Sequence, residues 1–172
     1  SRRQRQMCIR DSTSITADAL GPVTNKYVFA TRHIMQDLKN SSGFENLRSV
    51  ATVTTGVLGE TGIETAEIIK GVVEEIHPAC VIVVDALASS SADRLGTTVQ
   101  LSDTGISPGS GVGNHRHEIS KQVLGVPVIS IGIPTVVSTC TLNGCADEEM
   151  YVTPREIDRI TEQGAKLIGM SI

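Results

Sequence analysis

The sequence predicts an α/β fold: three layers, with an open, mostly parallel sheet carrying helices on both faces. Two observations lead there. Short apolar runs alternate along the chain with stretches whose apolar residues recur at helical spacing, the order expected of βα units. The clearest of those runs, residues 80–85 and 126–131, are continuous rather than alternating, as strands buried on both faces should be.

Each element follows in order. Residues 1–12 are basic, unpatterned and lead into no strand, and residues 7–11 back-translate naturally to a string resembling a transposon adapter from sequencing libraries. This segment is expected to be adapter-derived and is set aside from the fold. Thr16 to Pro22 reads as a turn into a helix that Thr16 caps, and signals are mixed from there to about Leu38. Residues 40–43 form a loop, and 47–55, rich in Val and Thr, read as a strand. Gly56, Gly59 and Gly62 mark a flexible turn. Ile63, Ala66, Ile69, Val72, Val73 and Ile76 then follow helical spacing, closed by Pro78. The strand at 80–85 ends in a carboxylate, Asp85. Residues 97–101 alternate as another strand, and 102–114 form a Gly-rich loop. A short helix at 119–124 stops at Gly125, and the strand at 126–131 leads to Gly132 and Ile133, with Pro134 and Thr135 lying after the strand end. Residues 139–149 read as a polar loop. Thr153, Pro154 and Glu156 open a final helix as cap, first-turn proline and capping-box partner, with Ile157, Ile160, Ala165 and Ile168 as its apolar face.

Composition narrows the function. The chain has 172 residues and a net charge of −4, which gives no electrostatic footprint for DNA or RNA. Its four aromatics, Tyr27, Phe29, Phe44 and Tyr151, are too few for base-stacking platforms. No apolar run reaches the length of a membrane span and no basic-then-apolar leader opens the chain. Cys8, Cys80, Cys140 and Cys145 are spaced neither as a paired framework nor as a zinc motif. They point to a reducing, cytoplasmic compartment, with Cys80 as a small buried hydrophobe.

Several residues are candidates for chemistry. Asp85 is a carboxylate at the end of an apolar run, costly if buried and unpaired; it reads equally as a turn aspartate bonding the backbone that follows. Asp18 in its turn also reads as a first-turn carboxylate favoured by the helix dipole. Asp103 lies in an Asp-Thr-Gly string like that of pepsin-like proteases, but without a second copy or their β-barrel pattern, so a turn-forming role fits better. The run Gly109, Ser110, Gly111, Val112, Gly113, Asn114 resembles a phosphate cradle but lacks the Lys-Ser/Thr of a P-loop; a substrate-contacting or structural loop fits better. For His115 and His117 the sequence gives no convincing place to an acidic ligand, and no metal is expected. Ser89, Ser90 and Ser91 have no nucleophile elbow around them.

Nine strings together resemble the spore germination protease family. They include Thr16-Ala17-Asp18-Ala19-Leu20-Gly21-Pro22, Val84-Asp85-Ala86-Leu87-Ala88, Ser102-Asp103-Thr104-Gly105-Ile106, Pro108-Gly109-Ser110-Gly111-Val112-Gly113-Asn114 and Val152-Thr153-Pro154-Arg155-Glu156. They run in register from about Thr13 to Ile172. The resemblance implies an endopeptidase that starts the degradation of small acid-soluble spore proteins during germination, in the cytoplasm of the forespore or spore core. It implies a zymogen, a homotetramer and a fold similar to the hydrogenase maturation proteases, with no cofactor and no direct contact with nucleic acid or membrane. The family's two essential aspartates fall on Asp18 and Asp85. Thr16, Asp103, Gly111 and Asn114 are then expected near the substrate, the glycine loop holding an extended peptide through backbone groups. Residues 13–172 are read as a partial domain, without the family's first strand and propeptide and without its C-terminal portion. Two other readings stand beside this one: a hydrogenase-maturation-type protease with acidic and histidine ligands around nickel, and an inactive α/β binding or assembly module.

Overall fold

The computed structural model describes residues 17–35, 47–114, 116–144 and 150–172. Residues 1–12, Thr16 and His115 lie outside the described residues, as does the part of the expected polar loop beyond residue 144.

The chain is α/β, built on a mixed sheet. Strand β1 (Val81–Ser89) pairs in parallel with β3 (Val128–Ser138), and β3 carries two short antiparallel partners, β2 (Gln100–Ser102) and β4 (Tyr151–Val152). The expectation of a mostly parallel sheet is therefore corrected: β1–β3 is the parallel pair among the described residues. The stretch expected as a strand at 47–55 forms no ladder. The Val50 carbonyl accepts from the Thr31 and Arg32 N–H groups while the Val50 N–H donates to Thr31 Oγ1. Its Val and Thr content met a turn, not a neighbouring strand.

Helices cover both faces. The short α1 (Leu20–Thr24) and the last helix α6 (Ile157–Ser171) pack on one side, where Leu20, Val23, Ile133, Ala165 and Ile168 are buried together with Val84, Ala86 and Ile131 against them. On the other side α3 (Thr65–Ile76) and α4 (Lys121–Leu124) bury Ala66, Val73, Ile119, Leu124 and Val128, with Val81 and Val83 against them. Residues of β1 alternate between these two clusters because successive strand side chains point to opposite faces. This is why the run needed apolar residues at consecutive positions.

Local details differ from expectation at the element ends. The glycine-marked turn at 56–62 contains a single helical turn, α2 (Leu58–Thr61), and the expected polar loop begins as α5 (Thr139–Asn143). Helix α3 begins on a capping box between Glu64 and Glu67 and ends at His77, whose φ of 46° is left-handed, just before Pro78. Helix α4 starts at Lys121 because Ile119 is used in a bridge to Ile106. Helix α6 starts at Ile157, so the Thr153 capping box does not form; the Ile157 N–H bonds the Pro154 carbonyl in a turn instead. Cys80, expected as a buried hydrophobe, is exposed ahead of β1, and Cys140, for which the spacing suggested no pairing, is disulfide-bonded.

Candidate active site

Asp85 lies within β1, not at its end. The strand continues to Ser89, with Asp85 opposite Gly132, Ala86 opposite Ile133 and Leu87 opposite Pro134. A register shift follows between Leu87 and Ala88, where β3 carries Thr135 as an extra residue. Pro134 and Thr135, expected beyond the strand end, are thus part of β3. Parallel pairing supplied partners for the backbone past the carboxylate, so polarity at residue 85 did not terminate the strand.

The Asp85 carboxylate is half-buried, and its Oδ1 accepts the Ala86 N–H at 2.9 Å. Burial pushes its pKa from 3.8 up to about 6; the Ala86 N–H pulls the other way, and the negative charge of Asp18 pushes it further up. Asp18 is exposed, in a single 3-10 turn (Ala17–Ala19) that runs directly into α1 and packs against β1 and β3. The turn is anchored by Leu20, which is fully buried between the sheet and α6, so apolar packing two residues on holds Asp18 near the strand.

Two close approaches flank Asp85. A Cβ built on Gly21 would lie 2.8 Å from the Val84 carbonyl oxygen, and one built on Gly111 would lie 2.7 Å from Ala88 Cβ. Gly111 belongs to the glycine loop, where Ser110–Val112 form a 3-10 turn between Gly109 and Gly113, both left-handed at φ 73° and 76°. The loop therefore reaches β1 just past Asp85. Its N–H groups at Ser110, Val112, Gly113 and Asn114 are engaged within the segment, with acceptors at Ser107, Gly109, Ser110 and Gly109 respectively.

The structure thus gathers Asp18, Asp85 and the Gly111 turn around β1, and places the Asn114 backbone N–H on Gly109, with its side chain at the surface. Asp103 does not join them. It is exposed in the turn after β2, where Ser102 and Thr104 hydroxyls bond each other at 2.7 Å. Strand β2 runs antiparallel, from Gln100 opposite Gly132 back to Ser102 opposite Ser130, so it carries Asp103 away from the level of Asp85. Strand spacings put their backbones roughly 14 Å apart. His117 is exposed beside Glu67, Lys70 and Glu118, and Arg116 reaches Glu64 at 3.8 Å. Among the described residues no group of three or more His, Cys, Asp or Glu is placed to hold a metal ion. Residue-by-residue reading of the sequence had no means of finding the Gly21 and Ala88 contacts. The one local signal was a glycine at the start of a helix beside a proline.

Comparison with known proteins gives a consistent result. Residues 10–148 match the family model described as Germination protease. Among curated relatives, the chain is similar to the Germination protease of Oceanobacillus iheyensis, 56% identical over 129 residues, covering 75% of this chain and 35% of that protein. It is 52% identical over 131 residues to that of a Geobacillus species, covering 76% and 35%, and 50% identical over 133 residues to that of Halalkalibacterium halodurans, covering 77% and 36%. The chain thus spans about a third of the length of these relatives.

Proposed function

Because this chain belongs to the germination protease family, we propose that the protein it comes from is an endopeptidase acting in spore germination, and that Asp18 and Asp85 carry the hydrolysis. The observation that carries this reading is the inequality of the two carboxylates. Asp85 is half-buried on β1 and raised to about 6, while Asp18 stands exposed on a neighbouring turn and its charge acts on Asp85. A half-buried carboxylate raised in this way, beside an exposed one, allows acid and base work to be divided between the pair.

In this reading Asp18 takes a proton from a water molecule, whose oxygen attacks the carbonyl carbon of the peptide bond. Protonated Asp85 hydrogen-bonds the carbonyl oxygen as negative charge develops there. Collapse of the tetrahedral intermediate breaks the C–N bond. The leaving nitrogen takes up the proton that Asp18 removed from water, which returns Asp18 to its ionised form, and a free carboxylate and an amine result. Thr16, Gly111 and Asn114 are proposed to lie along the bound peptide, and Asp103 is proposed to contact substrate farther from the bond that breaks.

The substrates we propose are the small acid-soluble spore proteins, cleaved in the cytoplasm of the spore by a homotetramer made first as a zymogen. The helix-covered sheet is compatible with a fold similar to the hydrogenase maturation proteases. Among the described residues no helix is long and apolar enough to cross a membrane.

The test uses the full-length protein with a purified small acid-soluble spore protein, beside Asp18→Asn and Asp85→Asn variants. Cleavage by the parent alone is expected. Equal cleavage by either folded variant removes that aspartate from the mechanism.

A further inference from the structure

Gly21 has no backbone reason to be glycine. It lies inside α1 without a left-handed φ, and at such a position alanine is favoured over glycine by about 1 kcal/mol. What requires glycine is the approach to β1, since a methyl there would sit 2.8 Å from the Val84 carbonyl oxygen. The two elements brought together are the helix that continues directly from the Asp18 turn and the strand residue immediately before Asp85. Gly111 makes a matching approach on the other side, 2.7 Å from the Ala88 methyl for an added Cβ. Strand β1 is therefore met on both sides of Asp85 at distances that no side chain allows.

We propose that Gly21 and Gly111 are positioning residues: their missing side chains set how closely the Asp18 turn and the glycine loop stand to Asp85. This rests on the aspartate-pair reading above. The direction of movement follows from the pairing. Val84 is held in register opposite Ile131, so the strand cannot retreat from a methyl at Gly21. The Asp18 turn must move instead. A methyl at Gly111 meets another methyl, so deleting the one at Ala88 returns the space.

A misplacement of about 1 Å costs on the order of 100-fold in rate, and the smaller shift needed here is expected to cost about tenfold. The full-length protein is assayed on a purified small acid-soluble spore protein as Gly21→Ala, Gly111→Ala and Ala88→Gly/Gly111→Ala. Gly71→Ala is the control, since its Cβ would meet nothing within 4 Å. Gly21→Ala is expected to lower kcat about tenfold with KM within about twofold, and to move the alkaline limb of the pH profile to lower pH as the Asp18 charge recedes. Gly111→Ala is expected to be slowed and the double variant restored, with Gly71→Ala at the parent rate. If the two aspartate-to-asparagine variants cleave like the parent, the aspartate reading fails and this inference falls with it. If they are inactive while Gly21→Ala keeps the parent rate and pH profile, the positioning inference alone is overturned. Should Gly21→Ala lose its fold by circular dichroism, the Gly111 pair decides: a slowed single variant with rescue upholds the inference, and a parent rate or no rescue overturns it.

Discussion

Replacing Asp85 with asparagine is expected to make the protein more stable at neutral pH while abolishing cleavage. The carboxyl is raised from 3.8 to about 6, so between those values the native state holds a proton that the unfolded chain has lost. Stability therefore falls as pH rises through this window and levels off above it. At about 1.36 kcal/mol per tenfold change, ionised Asp85 costs the native state about 3 kcal/mol at pH 7, and residual solvent contact lowers this to about 2 kcal/mol. Asparagine has the same shape, carries no charge and can still accept the Ala86 N–H through Oδ1. Urea unfolding of parent and Asp85→Asn, in the full-length protein, is measured at pH 7 and again below pH 4. The variant is expected to be more stable by about 2 kcal/mol at pH 7, with the difference gone in acid. Other carboxylates titrate in both proteins, so the difference between the two curves isolates residue 85. A variant no more stable than the parent at pH 7, or a gain independent of pH, would refute the burial argument. The trade is one expected where activity needs a group that folding alone would reject.

Asp18→Asn is expected to lower the Asp85 pKa, because the Asp18 charge helps to raise it; carboxyl NMR of the labelled protein reads this, and an unchanged value would separate the two groups. Cleavage by the parent is expected to fall as pH rises through about 6, as Asp85 loses its proton, and a profile flat across that range would contradict its role as the protonated partner. Leu20→Ala, at a side chain with 0% exposure, is expected to cost about 2–5 kcal/mol in denaturant unfolding and to reduce cleavage with it, since the same packing seats the Asp18 turn; a loss under about 1 kcal/mol would show that the turn is held by something else.

The parts of this protein that were legible in the sequence are those governed by short-range pattern. The helix at Thr65–Ile76 was visible because Ala66, Ile69, Val73 and Ile76 repeat at its period and Pro78 lies just beyond its end. The runs that became β1 and β3 were visible because a strand covered on both faces needs apolar residues at successive positions. Misreadings fell where the partner decided the outcome. Residues 47–55 carry β-favouring side chains but pair with a turn at Thr31, and Thr153 carries a good cap that a turn at Pro154 displaces. β-propensity describes a surface that suits a neighbour and does not supply one.

The same division runs through the site. The strings that hold Asp18, Asp85 and the glycine loop are where the sequence resembles the family, and the family model matches residues 10–148 without any knowledge of folding. Which carboxylate is half-buried, how far β1 continues past it, that Asp103 is carried away from it, and that Gly21 and Gly111 meet the strand on either side are properties of the assembled sheet. Residue types and local periodicity are written into the chain itself. Desolvation, strand register and the distance between two carboxylates arise between segments remote in sequence, and so they are decided by tertiary packing.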